Sequence, residues 1–163
     1  MRKMCEKCGR EFEAYQSHFT LCSSCFSSQK REDITGLFLN DYYDNQNNLL
    51  KKVFIGVPEE LANIFYKEGL KAKQLRDFHQ KILIARKKAL LQGINLVRPL
   101  LYQCSRDLMY QLSRGVIGES FLKFMKHHLE MAGKDEKSLE GFYQHLDSIV
   151  CYFYYITKKK GGK

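Results

Sequence analysis

Four cysteines stand near the start of the sequence as two close pairs, Cys5-x2-Cys8 and Cys22-x2-Cys25, within "MCEKCGREFEAYQSHFTLCSSCF". A Cys-x-x-Cys segment can turn back and offer two sulfurs to one ion. Two such pairs with 13 residues between them have the spacing of a four-cysteine zinc site. Zn2+ binds four thiolates tetrahedrally at about 2.3 Å, and four protein sulfurs leave no position open for water, so the expected role is structural. Gly9 follows Cys8 where the turn calls for a positive φ. "EFEAY" then reads as a short strand, with Phe12, Tyr15 and Phe19 covering the site. Two disulfides are the competing use of these thiols, and a reducing compartment disfavours them. A redox Cys-x-x-Cys would need one pair in a βαβ setting, which the sequence lacks. His18 lies between the pairs and is expected to be a bystander. Cys104 and Cys151 fall in apolar helical patterns and are expected to be buried, inert thiols.

Other residues that could do chemistry do not assemble into a centre. His127 and His128 are adjacent, so on a helix they point 100° apart and cannot converge on one ion unaided. The expected pattern is a solvent-facing His127 and a partly packed His128. His79 and His145 sit on or beside apolar stripes and read as satisfied packing residues. No glycine-rich phosphate loop precedes a helix, and no H-E-x-x-H pattern occurs. The sequence therefore reads as non-enzymatic.

A basic surface is the second feature. The chain of 163 residues carries 27 Lys and Arg against 18 Asp and Glu, a net charge of +9. Lys71, Lys73, Arg76, Lys81, Arg86, Lys87 and Lys88 crowd one helical segment, and Arg98, Arg106 and Arg114 follow on the next. Asp77 and Asp107 are the only carboxylates between Lys71 and Arg114. An unbalanced basic face can track phosphates, with binding that weakens as salt rises. From their place on the helical wheel, Lys87 and Arg114 are expected nucleic-acid contacts. Tyr102 and Tyr110 can either stack on bases or form the rim of the core.

Helices must position these groups. Only two prolines occur, and 44% of residues are hydrophobic, enough for a packed core. "SSQKRED" at 27–33 reads as a joint, dividing a cysteine module at 1–30 from a helical domain at 31–163 with its core at 58–156. Asn, Asp and Gln crowd 40–48 and predict a loop or poorly ordered stretch flanked by short helices. Pro58 opens a helix that Gly69 stops. Leu75, Phe78, Ile82, Ala85 and Ala89 make one stripe over 70–91, with Lys73, Arg76, Gln80 and Lys87 nearly opposite. Pro99 opens the next helix, with Leu101, Cys104, Leu108 and Leu112 inward. A helix over 119–132 buries Phe121, Leu122, Met125 and Leu129. A last one over about 136–156 carries Leu139, Phe142, Tyr143, Leu146, Ile149, Val150 and Phe153 on one stripe, before a frayed basic tail. The fold class is all-α: an antiparallel bundle of four or five helices with a small zinc-binding module. No run of about 18 apolar residues spans a membrane, and "MRKMCEKCGR" has no apolar stretch to act as a secretory signal. A cytoplasmic location is expected.

The segments "KQLRDFHQKI", "LVRPLLYQCSRDL", "ESFLKFMKHHL" and "LEGFYQHLDSIVCYFYY" resemble the small helical (Csm-type) subunit of type III-A CRISPR effector complexes. The likeness covers about 70–155. It implies a non-catalytic subunit that lines up with copies of itself and other subunits and supports guide RNA and target RNA through their backbones in antiviral defence. The basic positions it carries over are Lys73, Arg76, Arg98 and Arg106. The cysteine module departs from that pattern. A zinc-ribbon DNA-binding regulator with a helical dimerisation domain is the alternative. An accessory subunit whose charge serves solubility is a third reading.

Overall fold

The computed structural model describes residues 2–6, 8–14, 20, 22–25 and 33–161. Tyr15, His18, Phe19 and most of the expected joint lie outside the described residues. The chain divides into two compact units, Met1–Gly36 and Leu37–Lys163.

In the first unit, β1 (Arg2–Met4) and β2 (Glu11–Glu13) pair antiparallel, with Lys3 opposite Phe12. "RKM" has no strand signature of its own, and only its pairing with β2 makes it one. Gly9 takes φ 67°, the left-handed value expected of the turn after Cys8. The buried apolar side chains described here are Cys5, Ala14 and Ile34. Apolar burial alone is thin support for a fold.

The second unit is built from α1 (Lys51–Phe54), α2 (Val57–Lys67), α3 (Ala72–Gln92), α4 (Arg98–Ser113), α5 (Glu119–Ala132) and α6 (Glu136–Gly161). The starts at Pro58 and Pro99 and the stops at Gly69 (φ 87°) and Gly93 (φ 83°) follow the sequence signals. All five stripe residues of α3 are buried. α6 packs against α1, α2, α3 and α5, and α4 packs on α3 and α5. Phe65 of α2 meets Phe121 and Phe124 of α5 edge-on or tilted, with ring centroids 5.2 and 5.4 Å away.

Several expectations are corrected. Cys151 is exposed. It stands two residues from both Ile149 and Phe153, about 200° around the helix from each, and so faces away from the core. The basic tail is helical through Gly161. Lysines in a last turn suit the negative end of the helix dipole, and Lys160 Nζ lies 4.7 Å from the Tyr66 ring centre. The polar stretch 40–48 is the loop that the sequence predicts, flanked by the short 3-10 helix Ile34–Leu37 and α1, and it is ordered as a strap. Asp44 accepts hydrogen bonds from the amides of Gln46 (2.8 Å) and Asn48 (2.9 Å), while Leu39 and Tyr42 are buried.

Histidines hold this strap. His127, expected in solvent, is half-buried and donates from Nε2 to the Leu39 carbonyl at 3.0 Å. His128, expected to be partly packed, is fully buried, with Nδ1 hydrogen-bonded to the Tyr42 hydroxyl. His145 donates from Nδ1 to the Val53 carbonyl at 3.0 Å, just past the strap. Among the described residues the Nε2 atoms of His128 and His145 have no hydrogen-bond partner, so there these two are only half satisfied. His79 is satisfied, bonded to Asp147 at 2.8 Å and stacked on Tyr143.

Burial pushes His145 down to about 4. Burial, then the neighbouring His145 and His127, hold His128 well below its ordinary range. Both are neutral when folded. The unfolded chain protonates them from about pH 6.5 downward while the folded chain does not, so stability is full above that window and falls as pH drops towards 4. Chemical denaturation should show about 3 kcal/mol lost between pH 7 and pH 4 from His145 alone. His145→Leu should flatten that dependence; an unchanged slope would place the titration elsewhere. Gly141 gives a second test. A Cβ there would stand 2.5 Å from Tyr42. Helix propensity alone favours Gly141→Ala by about 1 kcal/mol. The clash should reverse the sign to a net loss of about 1–3 kcal/mol in the denaturant midpoint, and a stabilised variant would show that the strap yields freely.

Candidate metal centre and basic faces

Two turns bring the cysteines together. The Gly9 amide donates to the Cys5 carbonyl (2.8 Å) and the Cys5 amide to the Arg10 carbonyl (2.9 Å), which folds Cys8 back beside Cys5. A helical turn at 23–25 does the same for Cys22 and Cys25. The four Sγ atoms lie within 4.8 Å of one another, and those of Cys8 and Cys22 are 3.7 Å apart. Four sulfurs at 2.3 Å from one tetrahedral ion stand about 3.8 Å apart, so the spacing fits a metal. Cys5 is buried, Cys8 exposed, and Cys22 and Cys25 half-buried. The crowded sulfurs, Cys8 first and Cys22 next, push the Cys25 thiol up to about 12. A divalent cation reverses this, because its charge is what lets four thiolates coexist. The cluster can therefore bind a metal, and an all-sulfur donor set suits Zn2+ among the common ions.

The six expected nucleic-acid residues separate into distinct places. Lys73 and Lys87 are exposed on α3, opposite its buried stripe, and carry no ion pair among the described residues. Arg76 is exposed and donates to the Tyr154 hydroxyl at 2.8 Å. Arg106 is exposed, with Nε 3.7 Å from Asp107. Arg114 follows the last turn of α4 and lies over the Tyr110 ring at 5.6 Å. Arg98 is half-buried and donates to the carbonyls of Gly133 (2.8 Å) and Lys134 (3.2 Å) and to the Asn95 side chain. It thus satisfies backbone acceptors left at the end of α5.

Two members of the crowded α3 segment are also held. Lys81 pairs with Asp107 at 2.6 Å. Arg86 engages both carboxylate oxygens of Glu140 and lies over the Tyr143 ring at 4.7 Å. Glu140 comes from α6, 54 residues away, so a count of acids between 71 and 114 could not include it. The fold also adds cations that sequence reading set aside as a tail. Arg76 on Tyr154 and Lys160 on Tyr66 gather Lys67, Lys71, Lys73, Arg76 and the run Lys158–Lys160 at one end of the bundle. Arg98 lies near the start of α6, about 30 Å along that helix from Tyr154. The adjacency in space of α3's start and α6's end has no signal in sequence.

The Csm2 Type III-A family model matches residues 49–159. The chain belongs to the Csm2 Type III-A family. No curated protein and no solved structure matches it. The matched span runs from the end of the strap through almost all of α6, wider than the resemblance seen in the sequence, and leaves the cysteine cluster outside. Csm2 is the structural small subunit of the type III-A CRISPR complex, and membership implies association with its other subunits. Among the described residues no helix is long and apolar enough to cross a membrane.

Replacing Cys8 and Cys22 together by serine removes two of the four sulfurs. Elemental analysis of the purified chain should fall from one metal per chain to near zero, and amide exchange over 2–25 should speed up. Retention of one equivalent would remove the four-cysteine assignment.

Proposed function

We propose that this Csm2-type chain is a non-catalytic, RNA-binding support in its complex, working in the cytoplasm in antiviral defence. It holds guide RNA and target RNA through their phosphate backbones and packs against copies of itself and neighbouring subunits. The observation that carries the reading is the family match, taken with exposed cations on α3 and α4 that have few carboxylate partners. Lys73, Arg76, Lys87, Arg106 and Arg114 present charge to solvent and suit phosphate. Arg98 contributes more by closing the end of α5, with part of its guanidinium left for RNA. Positioning of this kind needs no proton transfer and no nucleophile.

Zn2+ is the proposed ion of the cysteine cluster, with a structural role. Cys5, Cys8, Cys22 and Cys25 would hold it as thiolates, and the ion would supply charge and a cross-link beyond what the few buried apolar side chains among the described residues of the first unit give. Salt dependence tests the RNA reading. Charge reversal at Arg76 and Arg106 together should weaken binding of the full chain to RNA about tenfold or more in low salt. It should also lower the slope of log K against log salt by about 2. An unchanged affinity and slope would remove both residues from the interface.

A further inference from the structure

One ridge of side chains stands largely outside the packing of the bundle. Tyr102, Arg106 and Tyr110 on α4, with Arg114 just past its end, recur at four-residue steps, which places them on one i+4 ridge inclined to the helix axis. Tyr102 is 67% and Tyr110 61% exposed, so neither forms the rim of the core. The Arg106 side chain is 76% exposed. Several tyrosines elsewhere in the bundle are engaged: Tyr42 with His128, Tyr43 with the Lys137 carbonyl, Tyr154 with Arg76. Tyr102 has no hydrogen bond and no ring contact among the described residues. Asp107 is the one carboxylate of α4, and Lys81 holds it at 2.6 Å, so the local field along the ridge is positive.

We infer that this ridge is a stacking platform for single-stranded RNA, with unpaired bases on Tyr102 and Tyr110 and phosphates at Arg106 and Arg114. The inference rests on the RNA-binding reading above and adds to it a contact to bases. Aromatic faces accept any base, so such a platform is sequence-tolerant. The two tyrosines stand about 12 Å apart along the helix. At about 3.4 Å per stacked nucleotide, they take bases some three or four positions apart, with Arg106 facing the phosphates between. Tyr110 remains 61% exposed with Arg114 over its ring, which leaves ring surface for a base. Paired bases in an A-form helix cannot reach the rings, so the ridge favours single strands over duplex. A protein occupant is the rival, since tyrosine and arginine also anchor protein interfaces. The ridge's positive charge favours the polyanion.

The test uses the full chain, a 12-nucleotide unstructured RNA, a duplex of equal length, and the double variant Tyr102→Leu, Tyr110→Leu. Leucine keeps the helix propensity and apolar bulk, and a thermal melt checks the fold. The variant should lose about tenfold in single-strand affinity or more, little in duplex affinity, and keep its salt slope. The chain has no tryptophan, so tyrosine emission reports directly and should be quenched by the single strand in the parent chain only. Unchanged single-strand affinity, alongside weakening by the Arg76 and Arg106 reversals, would overturn the platform and leave the backbone reading intact. Absence of RNA binding by the parent chain would overturn both. Loss of subunit co-purification with single-strand affinity intact would make the ridge a protein contact and also overturn the platform.

Discussion

Leu139, Phe142, Leu146, Ile149, Phe153 and Ile156 recur at steps of three and four along α6, and the burial of this stripe is what the bundle shares. Four other helices lean on it. A fully buried leucine, isoleucine or phenylalanine contributes about 1.5–3 kcal/mol, so no single polar contact of the unit rivals the stripe. The dependence also explains α6's length. A helix of 26 residues reaches about 39 Å and so can touch α5 near its start and α2 near its end.

On this scaffold the charges sort by what they face. Arg86 and Lys81 lie at the seams of α3 with α6 and α4 and meet carboxylates there. Lys73 and Lys87 point the other way and meet water. The excess of cations is thus concentrated on outward faces, where it sets the potential that an approaching polyanion meets. The metal cluster uses the opposite arrangement, gathering negative sulfurs around a position where only a cation makes them compatible.

Much of this was legible residue by residue. The α3 stripe, the proline starts and the glycine stops depend on neighbours within a turn or two, and local pattern carries them. The cysteine cluster was legible for the same reason, because each pair closes over four residues. The strap was legible as a loop but not as an ordered one: beside the local bonds of Asp44, it is held by His127, His128 and His145, which lie 86 to 92 residues downstream of their partners. The basic face was half legible. Periodicity shows which cations face outward, but not that Glu140 reaches Arg86 or that Arg98 finds the Gly133 carbonyl. The family likeness was visible in four packing motifs, and the strap's link to the matched region was invisible because it runs through single side chains.

The strap's bonds also have a consequence in time. Helix α4 meets both its sequence neighbours, α3 and α5, and can dock soon after it is made, whereas α1, α2 and α3 wait for α6. Leu39, Tyr42 and Val53 must wait for residues 127, 128 and 145. At roughly 5–20 residues per second of synthesis, that is a delay of about 5–20 seconds. For that interval an apolar leucine, a tyrosine and a valine stay uncovered on the nascent chain. The polar run of Asn, Asp and Gln between Tyr42 and Leu49 gives that waiting segment groups that water can hydrate.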